Sequence, residues 1–391
     1  MTEARFIYDE ALLAYNFHSD HPFNPLRIKA SMDLAKRLGI LDDSRIVAPE
    51  MASVQMLELA HEPHYIDLVR SLSRTGEKAY GIERLGLGTE DNPVFRGMHE
   101  AASRAVGASL TGARMLVEGS AARVLNLAGG LHHAGSGHAA GFCIYNDIVV
   151  AIRWIRRETG WRILYVDLDA HHGDGVQDAF YQDPDVFFVS FHESGQFLFP
   201  GTGYVNETGI GRGQGSTLNV PLAPATDDEL WMQVLRAILP RVMEYVKPDL
   251  VVSQHGCDGH YRDPLADLCA STRFYDQAPR LLSQYIDQYG GRWLATGGGG
   301  YQVLSVVPRA WTLLWAAMAG HTLSIDTAVP QEWLHTWQKA SNQPLPRRLH
   351  DDPGDFPVIR DRVRVEAANL ATLEELDARF PGFDFEKSSP S

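Results

Sequence analysis

The sequence predicts an α/β protein, an open parallel sheet with helices on both faces in a single domain. Three observations carry that expectation. Short apolar runs of strand length alternate along the chain with helical patterns, the order that builds a parallel sheet through crossover helices. One run, Ile163 to Val166, is apolar throughout, as a strand buried on both faces must be. Four polar clusters, His132-His133, Asp167–Asp174, Asp258–Asp263 and Gly297–Tyr301, each closely follow a predicted strand. In open parallel sheets ligands bind beyond the carboxyl ends of the strands, so the clusters share one address.

Phe6-Ile7-Tyr8 reads as a short first strand, and His21-Pro-Phe-Asn-Pro25 as a loop that two prolines hold extended. Ile28, Met32, Leu34 and Leu38 fall near helical spacing, so a helix runs from about Leu26 to Leu38 with Gly39 as its stop. Residues 75–95 hold four glycines and one proline and read as a long surface loop with Asp91 near its tightest turn. An Ala-rich helix follows over Met98–Val117, then a strand over Val124–Leu127. A helix from Asn146 to Glu158, stopped by Gly160, precedes the strand at Ile163. Later strands are expected at Val186–Phe191, Leu218–Val220, Leu250–Ser253 and Arg292–Thr296, with helices over Asp227–Val246 and Ala278–Tyr289. The reading divides the chain into a catalytic domain, 1–340, and a proline-rich extension, 341–391. The extension is expected as an arm with one short helix near 364–377.

With 391 residues, 45% of them apolar and 21% charged, the chain is long enough to bury a substantial core. A formal charge of −14 argues against a general nucleic-acid binder. Cys143, Cys257 and Cys269 are too few and scattered for a disulfide framework or a Cys-rich zinc site. The first ten residues are acidic where a signal peptide is basic and then apolar, and no uncharged stretch reaches membrane-spanning length. A cytoplasmic protein without membrane attachment is expected.

Side chains two apart on a strand share a face. Asp169 and His171 therefore converge if extended geometry persists past the strand, which makes a zinc half-site. A lone Asp-x-His is more often a solvated turn; here it has company. A catalytic zinc needs three protein ligands, and Asp258 and Asp263 are both candidates for the third. His132-His133 after Gly-Gly-Leu can supply a general base, with Asp167 and Asp174 free to orient the two rings. Tyr301 follows four glycines; its plain role is a packed aromatic, its chemical one a donor to an oxyanion.

The segments Gly-Gly-Leu-His-His (129–133), Gly-Phe-Cys-Ile-Tyr-Asn-Asp (141–147), Tyr-Val-Asp-Leu-Asp-Ala-His-His-Gly-Asp-Gly (165–175), Phe-Pro-Gly-Thr-Gly (199–203) and Gly-Gly-Gly-Gly-Tyr (297–301) resemble the zinc-dependent histone deacetylase superfamily. His192-Glu193 and Gln254-His-Gly-Cys-Asp258 are most similar to its bacterial acetoin-utilisation branch. The resemblance implies an arginase/deacetylase-like fold and hydrolysis of acetyl-lysine amides to lysine and acetate by metal-activated water. It implies zinc on Asp169, His171 and Asp263. His133 becomes the general base, paired with Asp174, and His132 its electrostatic partner, paired with Asp167. Tyr301 polarises the carbonyl. Gly141 and Phe142 with Phe199 line the acetyl-lysine tunnel, Asp91 holds the substrate backbone, and Arg27 lies by an inner acetate cavity. A structural potassium ion is implied near Asp167, Asp169, His171, Ser190 and Phe191. Ala270 takes a rim position that is often Leu, which implies a wider mouth.

The implied partner is an acetylated protein or a small acetylated amine. The nearest alternative is an acetylpolyamine deacetylase. A dimanganese ureohydrolase has a strand-end motif like Asp-Ala-His-x-Asp, and here Gly173 stands at the last position. A non-catalytic binding module would have lost a ligand, the base or the tyrosine, and all are present.

Overall fold

Strands β1 (Ala4–Ile7), β2 (Ile46–Val47), β3 (Arg123–Asn126), β4 (Ile163–Asp167), β5 (Val186–Glu193), β6 (Thr217–Leu222), β7 (Leu250–Gln254) and β8 (Trp293–Thr296) form one sheet. Their order is β2-β1-β3-β8-β7-β4-β5-β6, and every neighbouring pair is parallel. The structure is a computed structural model in which residues 4–381 are described. The middle of the sheet is β3, β8, β7 and β4, the four strands whose carboxyl ends precede the polar clusters. β4 is buried at every position between β5 and β7, which accounts for its unbroken apolar run.

The helices are α1 (Leu26–Arg37), α2 (Val54–Leu57), α3 (Pro63–Thr75), α4 (Met98–Glu118), α5 (Asp147–Thr159), α6 (Asp174–Phe180), α7 (Asp228–Val246), α8 (Thr272–Gln288), α9 (Val307–Ala319), α10 (Gln331–Trp337) and α11 (Arg362–Arg379). They form two groups, α2 to α6 and α1 with α7 to α11, and both α4 and α9 pack on β3. Local chemistry sets their ends. The Asn146 side chain caps α5 by accepting from the Val149 amide, and Gly160 at φ 68° closes it. Asp227 caps α7 in the same way through the Leu230 amide.

Some expectations shift. β2 is two residues long, too short to show a period. The helix expected over Ala278–Tyr289 starts earlier: α8 begins at Thr272, where the Ser271 side chain caps it, and carries Pro279 inside. Gly175 lies inside α6, although a glycine there reads from sequence as a chain breaker. The extension carries an 18-residue helix, not a short one.

That helix is fastened to the sheet. Asn369 accepts from the Ala223 amide at 2.9 Å and donates to Thr226 Oγ1 at 2.9 Å, while Thr372 Oγ1 donates to the Pro221 carbonyl at 3.1 Å. Leu373 and Leu376 are buried in the main core. Residues 382–391 of the predicted extension lie outside the described residues. Leu376→Ala should cost roughly 2–5 kcal/mol of stability, as for other buried leucines, read as a shift in the urea midpoint. A loss within about 0.5 kcal/mol, typical of surface positions, would show α11 to be a surface appendage.

Candidate active site

β4 ends at Asp167 and the chain then turns instead of running on straight. The Asp169 amide donates to Asp167 Oδ1 at 3.1 Å, and the His171 amide to Asp169 Oδ1 at 3.0 Å. These are turns made by side chains two residues back. Asp169 and His171 do converge, with Oδ1 and Nδ1 3.2 Å apart. The turn brings them together; strand alternation does not.

Asp258, after β7, completes a compact group: ligand atoms of Asp169, His171 and Asp258 all lie within 4.8 Å of one another, and all three residues are buried. Asp258 Oδ2 lies 3.0 Å from His171 Nδ1, and Oδ1 accepts from the Ala170 amide at 2.9 Å. Asp169 Oδ2 accepts from Gln254 Nε2 at 2.6 Å and the Gly299 amide at 2.8 Å. Asp263, which the family resemblance favours as third ligand, stands outside this group. Its oxygens accept from the Tyr301 amide at 2.7 Å and the Leu265 amide at 3.1 Å.

Burial and the neighbouring Asp169 push the Asp258 carboxyl up to about 6. Burial and Asp258 push Asp263 up to about 7. Burial also opposes charge on Asp169, but His132 and His171 hold it well below the usual carboxylate range. His171 is raised well above its ordinary value: burial opposes its charge, and Asp169 and Asp258 outweigh burial. The pocket is short of positive charge. Converging carboxylates and an imidazole are also the donor set that suits zinc, so the residues present fit a divalent cation.

His132 and His133 follow β3 and lie beside this group. His132 Nδ1 is 2.8 Å from Asp167 Oδ2, and His133 Nδ1 is 2.7 Å from Asp174 Oδ1. The two Nε2 atoms are 3.0 Å apart. Burial lowers both rings, but Asp167 and Asp169 overcome it at His132, which rises to about 9. His133 is lowered, by burial and then by the charge of His132. Of the two rings His132 therefore takes up a proton first, and His133 is the one that keeps an unprotonated Nε2.

Residues to which the sequence reading gave no role hold this loop. Asn146 Nδ2 donates to the carbonyls of His132 (3.3 Å) and Ala134 (3.1 Å), one on each side of His133. Asp147 accepts from the Leu131 amide at 2.9 Å and the Gly130 amide at 3.1 Å. Both lie in the Gly-Phe-Cys-Ile-Tyr-Asn-Asp segment, 141–147, where an Asn-Asp pair before a helix is a sequence signal for capping. A Cβ on Gly175 would come within 2.7 Å of the His132 carbonyl, so only glycine lets α6 pack here. A Cβ on Gly141 would lie 2.3 Å from the His133 ring.

Two aromatic rings wall the site. Phe142 packs edge-on against Tyr301 with centroids 5.6 Å apart, and Phe199 lies 5.1 Å from His133 and 6.4 Å from His171. Phe142 has φ 69°, a region costly for a residue with a side chain. His21 Nδ1 accepts from the Phe23 amide, which leaves Nε2–H to donate to the Asp91 carbonyl at 3.2 Å. Asp91 itself is exposed. Behind Tyr301, Arg27 is buried, donates to the Gly300 carbonyl at 2.9 Å, and leaves its Nε without a partner.

One expectation fails. Ala270 is 0% exposed and pairs through its backbone with Gly259 and Tyr261, so it does not line the mouth. Ser190 stands beside Asp167 in register, followed by buried Phe191, and Ser190 Oγ is 2.8 Å from His192 Nδ1.

The chain belongs to the histone deacetylase family: the profile of the Histone deacetylase domain matches residues 21–318. The acetoin utilization protein AcuC of Bacillus subtilis (strain 168) is 44% identical over 376 residues, covering 96% of this chain and 97% of that protein. AcuC of Staphylococcus aureus (strain MRSA252) is 36% identical over 360 residues, 92% of each. These relatives place the chain in the AcuC branch. A crystal structure of an HDAC homolog complexed with SAHA superposes with a TM-score of 0.82 at 27% identity, covering 95% of this chain and 99% of that one. The deacetylase-like fold expected from the sequence is the fold found, and the chain is a hydrolase of the deacetylase class. Among the described residues no helix is long and apolar enough to cross a membrane.

Proposed function

We propose that the protein is a zinc-dependent amidohydrolase that removes acetyl groups from lysine side chains. One observation carries the reading: a cation-seeking group of buried carboxylates and imidazole lies beside a His133–Asp174 pair at the centre of the sheet. Bound zinc would supply Lewis acidity at the scissile carbonyl. The side chains do the rest. His133 Nε2 takes the proton of the attacking water while Asp174 holds its other nitrogen, and the charged His132 favours the anionic transition state. His133 then returns the proton to the lysine nitrogen as the C–N bond breaks. Tyr301 donates to the carbonyl oxygen. Phe142 and Phe199 pack the lysine methylenes, with Gly141 leaving room for His133, and Asp91 accepts from the substrate backbone. Arg27, a buried cation with a free donor, receives the acetate. Potassium at the ends of β4 and β5, where Asp167 and Ser190 are register partners, belongs to the same reading. So does the division of the chain at residue 340.

For the third ligand we propose Asp263. It is 7% exposed, like His171 at 8%, whereas Asp258 is 0% exposed. Distances alone favour Asp258. Elemental analysis of the wild type, Asp258→Ala and Asp263→Ala decides: one zinc per chain in the wild type and none in Asp263→Ala is expected, and full zinc in Asp263→Ala would transfer the role to Asp258.

A dimanganese site is disfavoured by space. A Cβ on Gly173 would lie 2.4 Å from Asp167 Oδ2, so no carboxylate fits at the position where ureohydrolases carry one. Turnover of acetyl-lysine peptides in preference to acetylated polyamines is expected, and the reverse preference would assign the small-amine substrate.

A further inference from the structure

We propose that Asp351, beyond the matched family domain, is a positioning residue for the metal-site turn and acts through His260. The inference rests on the reading of the site given above. His260 lies between Asp258 and Asp263, the two candidates for third ligand, and its carbonyl accepts from the Asp263 amide at 2.7 Å. His260 Nδ1 accepts from the Arg262 amide at 3.1 Å, so Nε2 carries the proton and donates to Asp351 Oδ2 at 2.8 Å. The turn therefore hangs on a carboxylate from another part of the chain.

That carboxylate is firmly placed. Asp351 Oδ2 also accepts from the Thr272 amide and hydroxyl, each at 2.9 Å, at the first residue of α8. Its Oδ1 accepts from Arg309 Nη2 at 2.9 Å. Arg309 in turn holds the Leu349 carbonyl at 3.2 Å and the Ser305 carbonyl at 2.6 Å, four residues after Tyr301. Two further contacts run alongside: Arg262 pairs with Asp355 at 3.1 Å, and the Tyr261 ring lies 6.0 Å from that of Phe356. Residues 260, 261 and 262 are each touched by the segment 351–356. The family profile ends at residue 318, so this clamp comes from outside it. A carboxylate that only joined α8 to α9 would need Thr272 and Arg309; it would not need a tautomer-fixed imidazole from the metal-site turn.

The test compares Asp351→Asn, His260→Gln and the double variant, at a temperature where circular dichroism shows all three folded. The readouts are zinc affinity by competition with a chromophoric chelator, and kcat and KM on an acetyl-lysine peptide. Each single variant should lose about 10–100-fold in zinc affinity or kcat, the range for residues that orient metal ligands, with little change in KM. The double variant should be no worse than the worse single one, because the two residues act as one unit. Wild-type zinc affinity and kcat in folded Asp351→Asn would overturn the proposal, as would losses that multiply in the double variant. If Asp351→Asn does not fold, His260→Gln carries the same test, since it leaves Arg309 paired. A wild type that holds no zinc would instead sink the reading of the site itself.

Discussion

Replacing His133 by alanine should lower kcat on acetyl-lysine peptides by about 10²–10⁴-fold, the usual contribution of a general acid–base group. The expectation follows from where its protons lie. Asp174 occupies Nδ1 at 2.7 Å, and His132, raised to about 9, takes up a proton before its neighbour does. His133 is thus the ring that arrives as an acceptor, and burial beside a charged neighbour keeps it so. The variant should still fold, because Asn146 and Asp147 hold the loop through backbone groups. It should also keep its zinc, since His133 is not in the ligand group. His335→Ala, an exposed position on α10, serves as control and should behave as wild type. A loss below about tenfold in zinc-loaded His133→Ala, well short of the general-base range, would remove it as the base.

Much of this site is legible in the sequence because two periodic signals coincide. Apolar runs mark the central strands, and polar residues placed straight after them mark the sheet's carboxyl edge. His132, His133, Asp167, Asp169, His171, Asp174 and Tyr301 all announce themselves in that way. What escapes is geometry that periodicity does not encode. Asp169 and His171 meet through side-chain turns, which no alternation rule describes. Asp258 and Asp263 sit on one loop, and spacing cannot say which carboxylate faces inward. The family resemblance puts Ala270 at the rim, yet backbone pairing to Gly259 and Tyr261 draws it under the surface. Asp351 is invisible for a different reason. Its partners are 42 to 91 residues away, and a lone acid in a proline-rich stretch carries no local pattern.

Tyr301→Phe should leave folding, zinc content and KM close to wild type while lowering kcat by about 10²–10³, the effect of removing one donor from an oxyanion site. The substitution keeps the ring's edge-on contact with Phe142 at 5.6 Å and the hydrogen bond that the residue's backbone amide donates to Asp263 at 2.7 Å, neither of which involves the hydroxyl. Burial, with Asp258 and Asp169 nearby, pushes the phenol well above its ordinary value. A phenol that stays protonated can donate at any working pH, which is the property the role requires. Its worth lies in the transition state: a carbonyl oxygen accepts weakly, the developing oxyanion strongly, so the loss should fall on kcat and not on KM. The same logic separates Tyr301 from Phe142. Removing the Phe142 ring takes away packing that ground state and transition state share, so its effect should appear in KM. The plain alternative is that Tyr301 only fills space beside Phe142. On that view the hydroxyl is idle, and a near wild-type kcat in Tyr301→Phe would decide for it.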